Sequence, residues 1–306
     1  MKVLVTGGAG FIGSHVSDEL IDHGHEVIVL DNLITGKKIN LHPDTVFYEG
    51  DIREPIVNEI MENERPEVVI HHAAQVSVRN SVEDPRYDMD VNIGGTLNLL
   101  ENSVKCGVKK FIFACTGGAL YGEQDYFPAD EDHPIRPLSP YGITKFCCER
   151  YFFFYRETYG LNYVSLRYAN VYGPRQDPHG EAGVVAIFTK KMLAEEQPII
   201  NGSGEQTRDY VFVKDVARAN ILSLNTNING EFNIGTGTET TVNDLFKEIR
   251  TISKSSIEEV HGDAKKGEQF RSVLDWSKAK KDLGWNPNIS LQEGLEKTVS
   301  YFQGLD

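Results

Sequence analysis

Lys2-Val3-Leu4-Val5-Thr6-Gly7-Gly8-Ala9-Gly10-Phe11-Ile12-Gly13 is the stretch that decides how this chain folds. The aliphatic run Val3-Leu4-Val5 reads as a strand buried on both faces. Glycines follow at 7, 10 and 13, a GxxGxxG spacing, and from Ile12 onward apolar residues recur at helical intervals. Each glycine has a physical reason. Gly7 allows the tight turn off the strand, Gly10 lets the backbone approach a pyrophosphate, and Gly13 lets the helix pack close to the sheet. The pyrophosphate then rests on the first helical turn, around Phe11 and Ile12, where free N–H groups and the helix dipole favour negative charge. A glycine triplet by itself is weak evidence, because plain glycine-rich turns share the pattern. Here the second strand ends in Val29-Leu30-Asp31-Asn32. A carboxylate at that point accepts hydrogen bonds from the adenosine ribose and repels a 2′-phosphate, so NAD is expected rather than NADP.

Outward from this unit, short apolar runs alternate with longer helical patterns. Strands are expected at Lys2–Thr6, Glu26–Leu30, Thr45–Glu49, Glu67–His71, Lys109–Ala114, Asn162–Arg167 and Tyr210–Val213. Helical spacing marks Ile12–Ile21, Ile56–Met61, Tyr87–Cys106 and Tyr141–Tyr159. The alternation predicts an α/β fold, a Rossmann-type doubly wound parallel sheet with helices on both faces. Regularity weakens after about Val171, where Pro174, Pro178 and Gly180 interrupt the chain. The expected division is a dinucleotide-binding domain over 1–172 and a smaller C-terminal substrate-binding lobe over 173–306. The stretches near 210–214 and 231–234 are candidates to return to the main sheet.

Composition removes several function classes. The chain has 306 residues, with 31 basic and 45 acidic side chains and a formal charge of −14. Such a balance argues against nucleic acid, whose phosphates call for clustered Lys and Arg. The four cysteines, Cys106, Cys115, Cys147 and Cys148, form no CxxC pair, so a reduced, cytoplasmic setting is expected. No run of eighteen apolar residues and no leader pattern is visible, so no membrane span is expected. His71 and His72 lack the carboxylate–histidine spacing of a metal site, and no metal is expected.

Tyr141-Gly142-Ile143-Thr144-Lys145 opens a helix after Pro140. Residues four apart share one helix face, so phenol and ammonium can be neighbours. A free phenol titrates at about 10, and a nearby cation favours its ionised form. Tyr141 is thereby expected to be a general base tuned by Lys145. A YxxxK spacing arises often by chance on amphipathic helices. Its place one strand–helix unit beyond the glycine loop gives it meaning.

Taken with TGGAGFIGSH at 6–15, LDN at 30–32, GDIR at 50–53, HHAAQVSV at 71–78, VNIGGTLNLLE at 91–101, SPYGITK at 139–145, LRYANVYGPRQDP at 166–178 and TRDYVFVKDVA at 207–217, the chain resembles the extended short-chain dehydrogenase/reductase family over essentially its whole length. Within that family it is similar to the UDP-glucose (UDP-galactose) 4-epimerases and related UDP-hexose 4-epimerases. The resemblance implies an isomerase that keeps NAD bound as a temporary hydride store and passes through a 4-keto sugar. It implies that Tyr141 takes the proton of the sugar 4-hydroxyl, that Lys145 also holds the nicotinamide ribose, and that Thr116 hydrogen-bonds O4. It places Asp51 and Ile52 at the adenine, and Ala73, Ala74, Gln75, Asn92 and Tyr168 along the cofactor, with Asn32 and Gly36 beside Asp31. On the nucleotide-sugar side it implies Arg208 at the diphosphate, Asn170 at the phosphate or pyranose, and Val184, Asn201 and Val242 flanking the nucleotide. A homodimer built from the helices over 87–106 and 141–159 is implied by the same likeness.

Three departures from the family pattern matter. The loop Ala114-Cys115-Thr116-Gly117-Gly118 has one residue more before Tyr121 than better-known epimerases, so Gly117 shares the position given to Thr116. The second diphosphate arginine is replaced by Lys265, with Lys266 or Arg271 as substitutes. Ser272 falls where some members carry a bulky tyrosine, which would leave room for an N-acetyl group and admit UDP-N-acetylhexosamines. The competing readings are a UDP-glucuronate 4-epimerase, a nucleotide-sugar dehydratase or decarboxylase, and a non-catalytic NAD-binding regulator. Dehydratases and decarboxylases of this type carry carboxylates beside the catalytic threonine, where this chain has Gly117 and Gly118. Regulators lose the Tyr or the Lys, and this chain has both.

Overall fold

The computed structural model describes residues 1–178, 183–224, 228–264 and 269–304. Its centre is a seven-stranded sheet: β1 (Lys2–Thr6), β2 (Glu26–Asp31), β3 (Val46–Glu49), β4 (Val68–His71), β5 (Lys110–Thr116), β6 (Asn162–Tyr168) and β7 (Gly230–Ile234). The spatial order is β7-β6-β5-β4-β1-β2-β3, with every pairing parallel. The longer helices are α1 (Phe11–Asp22), α2 (Ile56–Glu64), α3 (Gly95–Cys106), α4 (Pro140–Tyr159), α5 (Val184–Leu193), α6 (Val213–Leu224), α7 (Val242–Ser253) and α8 (Leu291–Gln303).

The two-residue period of a strand sorts the aliphatic runs onto two faces. Val3 and Val5 pack with Val16 and Leu20 of α1 and Val216 of α6. Leu4, between them, packs instead with Val57 and Met61 of α2 and Leu99 of α3. A third cluster gathers the later helices, with Phe188 of α5, Phe246 of α7 and Leu295 of α8 among its members. Strand order reverses between β1 and β4, so the crevice beyond their carboxyl ends is where such a sheet takes ligands. Among the described residues, no helix is long and apolar enough to cross a membrane.

Two expectations need correction. The stretch near 231–234 is in the main sheet, as β7. The stretch 210–214 is not: Tyr210–Phe212 pairs with Asn170–Tyr172 in a separate two-stranded parallel ladder. At Ala169 the backbone N–H still reaches Ile234 O at 2.9 Å, but the next one, Asn170, turns to Asp209 O at 2.9 Å, and the chain leaves the sheet there. The pattern read as one helix over Tyr87–Cys106 is helix Pro85–Met89, a π-helical turn Asp90–Gly94, then α3. Single-turn π-bulges of this kind are frequent at functional sites.

Helix α4 starts where Ser139 Oγ accepts from Gly142 N at 3.1 Å, with Pro140 in the first turn, whose missing N–H costs nothing there. Halfway along it Glu149, with no exposed surface, takes two hydrogen bonds from the buried Arg167 of β6, at 3.0 and 2.8 Å, and a third from Ser165 Oγ at 2.7 Å. Arg167 also donates to Tyr121 OH at 3.0 Å, which donates to Asn233 Oδ1 of β7 at 2.7 Å. Removing one member of such a pair strands a buried charge, at about 3–5 kcal/mol. Arg167→Met is therefore expected to lower the unfolding free energy by about that much. The double variant Glu149→Gln/Arg167→Met should recover most of it, both measured by urea denaturation at constant m-value.

Candidate functional site

At the end of β1, Gly7 turns with φ +71° and its N–H returns to Leu30 O at 2.8 Å. A Cβ on Gly13 would lie 2.2 Å from Gly7 O, so only glycine lets α1 seat against the loop. Gly10 caps α1 without any side-chain acceptor, and the first turn holds no acidic residue. The opening N–H groups of α1, at Phe11 and Ile12, thus have no acceptor within the helix. Asp31 is almost buried. Its Oδ2 accepts from Ala9 N at 3.0 Å and its Oδ1 from Leu33 N at 2.8 Å, leaving one lone pair on each oxygen, and Gly36 backs onto the carboxylate. Asn32 donates to Asp51 Oδ2 at 3.0 Å. Arg53 grips both oxygens of Asp51, at 2.8 and 2.9 Å, and holds that carboxyl down at about 2. Ile52 is buried against Gly95. The residues expected to hold a dinucleotide are thus gathered at one sheet edge, with the cradle shaped by missing Cβ atoms.

Two strands away, β5 ends at Thr116, in register with Tyr168 of β6. Thr116 Oγ1 accepts from Ala119 N at 3.2 Å. Lys145 is buried, its Nζ donating to Ala114 O at 3.0 Å and standing 5.9 Å from the centre of the Tyr141 ring. Burial pushes the Lys145 ammonium below its ordinary value. Burial also pushes the Tyr141 phenol up, with Cys115 and Asp88 adding to the rise. For the protein by itself, desolvation is the largest influence on the Tyr141 phenol. Cys115 is buried and its thiol is pushed well up, as suits an inert strand-end residue.

The loop after β4 is more tightly built than its sequence suggests. Ala73 N donates to Thr6 Oγ1 at 3.4 Å, and Ala74 follows half-buried. Gln75 N donates to Asn92 Oδ1 at 2.9 Å, while Asn92 Nδ2 returns to Gln75 O at 3.1 Å. Asn92 therefore locks the loop and sits in the π-helical turn. Tyr168 OH accepts from Asn220 Nδ2 at 2.9 Å and lies 3.2 Å from His72 Nε2, with the two rings stacked. His71 lies between Thr6 and Thr96 hydroxyls, at 2.7 and 3.1 Å. Asp88 and Thr144, which join this network, were not foreseen. Asp88 reads in sequence as one more acid on a polar helix, and nothing local signals its burial.

At the end expected to take the nucleotide sugar, Thr207–Arg208 pairs antiparallel with Thr240–Thr241, directly before Val242 of α7. Val242 N donates to Gln206 O at 3.3 Å, and Gln206 Nε2 to Asn201 O at 3.1 Å. Arg208 Nη1 donates to Thr207 O at 2.7 Å. Nearby, Arg271 forms a bidentate pair with Glu239, at 2.9 and 2.7 Å. Asn201, Arg208, Val242 and Arg271 are thus brought to one corner, and Val184 starts α5, which packs on α7. Asn170 sits beside the buried Asp209. Ser272 is buried, its Oγ 3.9 Å from where a Cβ on Gly118 would be, so the chain carries it back to the Thr116 loop. Lys265 and Lys266 lie outside the described residues.

Residues 3–235 match the model of the NAD dependent epimerase/dehydratase family. The chain belongs to this family. It is 51% identical over 301 residues to a homologue from Methanocaldococcus jannaschii, covering 98% of each protein. The structure of a UDP-glucose 4-epimerase from Thermotoga maritima with UDP-glucose superposes with a TM-score of 0.98 at 54% identity, covering 100% of this chain and 99% of that one. A UDP-glucose 4-epimerase from Thermus thermophilus in complex with NAD gives 0.95 at 45% identity, with 100% of both chains covered. The family membership matches the resemblance read from the motifs, and the seven-stranded parallel sheet is the Rossmann-type fold expected of it.

In this family member, His15 of α1 fastens that helix to the segment at Pro174. Its Nε2–H donates to Pro174 O at 2.9 Å, so the neutral ring carries a bare, buried Nδ1. Burial lowers its pKa to about 4 from 6.5. The unfolded chain binds more protons between those values, so stability is full above 6.5 and falls as pH drops toward 4. The denaturation midpoint should decline across that window, by roughly 3 kcal/mol at most for this group. His15→Gln should flatten the decline, measured by urea titration at a series of pH values.

Proposed function

We propose that this family member is an NAD-dependent UDP-hexose 4-epimerase, an isomerase interconverting UDP-glucose and UDP-galactose. The observation that carries the reading is the convergence of Thr116, Tyr141 and Lys145 at the carboxyl end of β5, on the same sheet edge as the glycine loop of β1 and two strands from it. Its homologues of known structure include enzymes of that name with UDP-glucose and with NAD.

The cofactor would be held by the N-terminal turn of α1 at Gly10–Gly13, by Asp31 and its neighbours Asn32 and Gly36 at the ribose, by Asp51 and Ile52 at the adenine, and by Ala73–Gln75, Asn92, Tyr168 and Lys145 along its length. When bound, NAD supplies the acceptor and later the donor for the hydrogen on sugar C4, and a positive ring that offsets the raised pKa of Tyr141. Tyr141 takes the proton of the 4-hydroxyl and gives it back after the sugar has turned. Thr116 hydrogen-bonds O4 in both orientations. Lys145, anchored on Ala114 O, keeps a cation beside the phenol. Arg208 grips the diphosphate through bidentate hydrogen bonds, with Asn170, Val184, Asn201 and Val242 around the nucleotide, and Lys265 as a second cation.

Elimination of water, the dehydratase reaction, needs acid and base beside Thr116. At those places the chain has Gly117 and Gly118, and a Cβ on Gly117 would already meet Leu274 Cδ1 at 2.4 Å. Ser272, small and close to Gly118, supports acceptance of UDP-N-acetylhexosamines. The protein is read as a homodimer through α4 and the helices over 85–106. Phe153, Phe154 and Tyr159 are about half exposed on α4, and Met89 on helix Pro85–Met89. The four unpaired cysteines suit a cytoplasmic setting.

Purified protein should convert UDP-galactose to UDP-glucose with no NAD added, followed by chromatography. Tyr141→Phe should lose on the order of 10²–10⁴ in kcat. Absence of turnover, with NAD supplied, rules out this assignment. Ser272→Tyr should lower the rate on UDP-N-acetylglucosamine roughly tenfold or more relative to UDP-glucose; an unchanged ratio removes the scope argument.

A further inference from the structure

Asp88 ends a short helix, Pro85–Met89, outside every motif assigned a role above. It has no exposed surface, and no cation pairs with it among the described contacts. Its Oδ1 accepts from Gln75 Nε2 at 2.8 Å and Asn92 Nδ2 at 3.1 Å, and its Oδ2 from Thr144 Oγ1 at 2.8 Å. Those donors come from three separate segments: the loop after β4, the π-helical turn, and α4. Thr144 lies between Tyr141 and Lys145, and Asn92 Nδ2 reaches its hydroxyl as well, at 3.2 Å. A carboxylate stripped of water is costly unless its donors are held in place, so the arrangement is specific.

We propose that Asp88 is a positioning residue for the Tyr141–Lys145 pair, fixing the first turns of α4 against the Gln75 loop through Thr144 and Asn92. It rests on the epimerase reading for its kinetic consequences only. Its charge has a second effect. Tyr141 is faced by Lys145 on its own helix, by Cys115 of β5 and by Asp88. Lys145 is faced also by Cys148, and by His71 and His72, both kept neutral by burial. Asp88 is the carboxylate common to both groups, beside the Cys115 thiol: it favours the Lys145 ammonium and opposes the Tyr141 phenolate.

Asp88→Asn removes the charge together with one acceptor, whereas Thr144→Val removes only the link. In Asp88→Asn the acid limb of the kcat–pH profile on UDP-galactose should move down by about one pH unit. Thr144→Val keeps the charge and breaks the link, so its limb should stay while kcat falls roughly tenfold, with KM little changed and Thr144→Ser restoring the rate. Amide hydrogen exchange on the full chain is read alongside, over residues 73–77 and 141–145. Both first variants should exchange roughly tenfold faster there, a result independent of any sugar. An unmoved limb in a folded Asp88→Asn enzyme, wild-type kcat in Thr144→Val, or unchanged exchange in both segments overturns the proposal. Should Asp88→Asn fail to fold, the Thr144 variants and their exchange decide it. Wild-type protein inert toward UDP-galactose refutes the epimerase reading, while the exchange data still judge Asp88.

Discussion

A parallel sheet covered by helices on both faces leaves polar chemistry one place to emerge, the carboxyl ends of its strands. Val3 and Val5 are committed to one layer of helices and Leu4 to the other, and the same division runs along β2, β4, β5 and β6. Thr6, His71, Thr116 and Tyr168 are where those apolar runs stop. The glycine loop, the Gln75 loop and the Thr116 loop therefore open at one edge, and strand order reversing between β1 and β4 splits them around a crevice.

The opposite wall is held by buried polar groups as well as by apolar packing. Helix α4 brings Tyr141 and Lys145 to that edge, and it is tied down by carboxylates buried in full. Glu149 fastens its middle to Arg167 of β6; Asp88 fastens its first turns through Thr144. A third, Asp209, gathers Thr236 N at 2.8 Å, Gly237 N at 3.1 Å and Leu274 N at 3.3 Å, so that the segment bearing Ser272 lies along the Thr116 loop. Each of these acids accepts from residues far away in sequence. An alternative packing would leave it unpaired, at a cost of several kcal/mol. The arrangement therefore favours one geometry over looser ones. It also raises the phenol it positions, which makes the charge that arrives with the cofactor part of the tuning.

The substrate-side corner follows a different logic. Asn201, Arg208, Val242 and Arg271 meet through short ladders and loop hydrogen bonds, beside a third apolar cluster. Short strands of two residues have no periodicity to read. Their motifs, TRDY above all, were legible only through resemblance to relatives.

The sequence by itself determined the layers: continuous aliphatic strands, helical spacing between them, the glycine loop with Asp31, and the Tyr141–Lys145 pair. These are local patterns whose physics acts over a few residues. Tertiary structure alone decided where 210–214 pairs, that the helix over 87–106 carries a π-helical turn at Asn92, and that Asp88, Glu149 and Asp209 are interior. A carboxylate on a polar helix looks the same whether water or three distant donors surround it. Only the folded chain supplies those donors, and with them the reason for the residue.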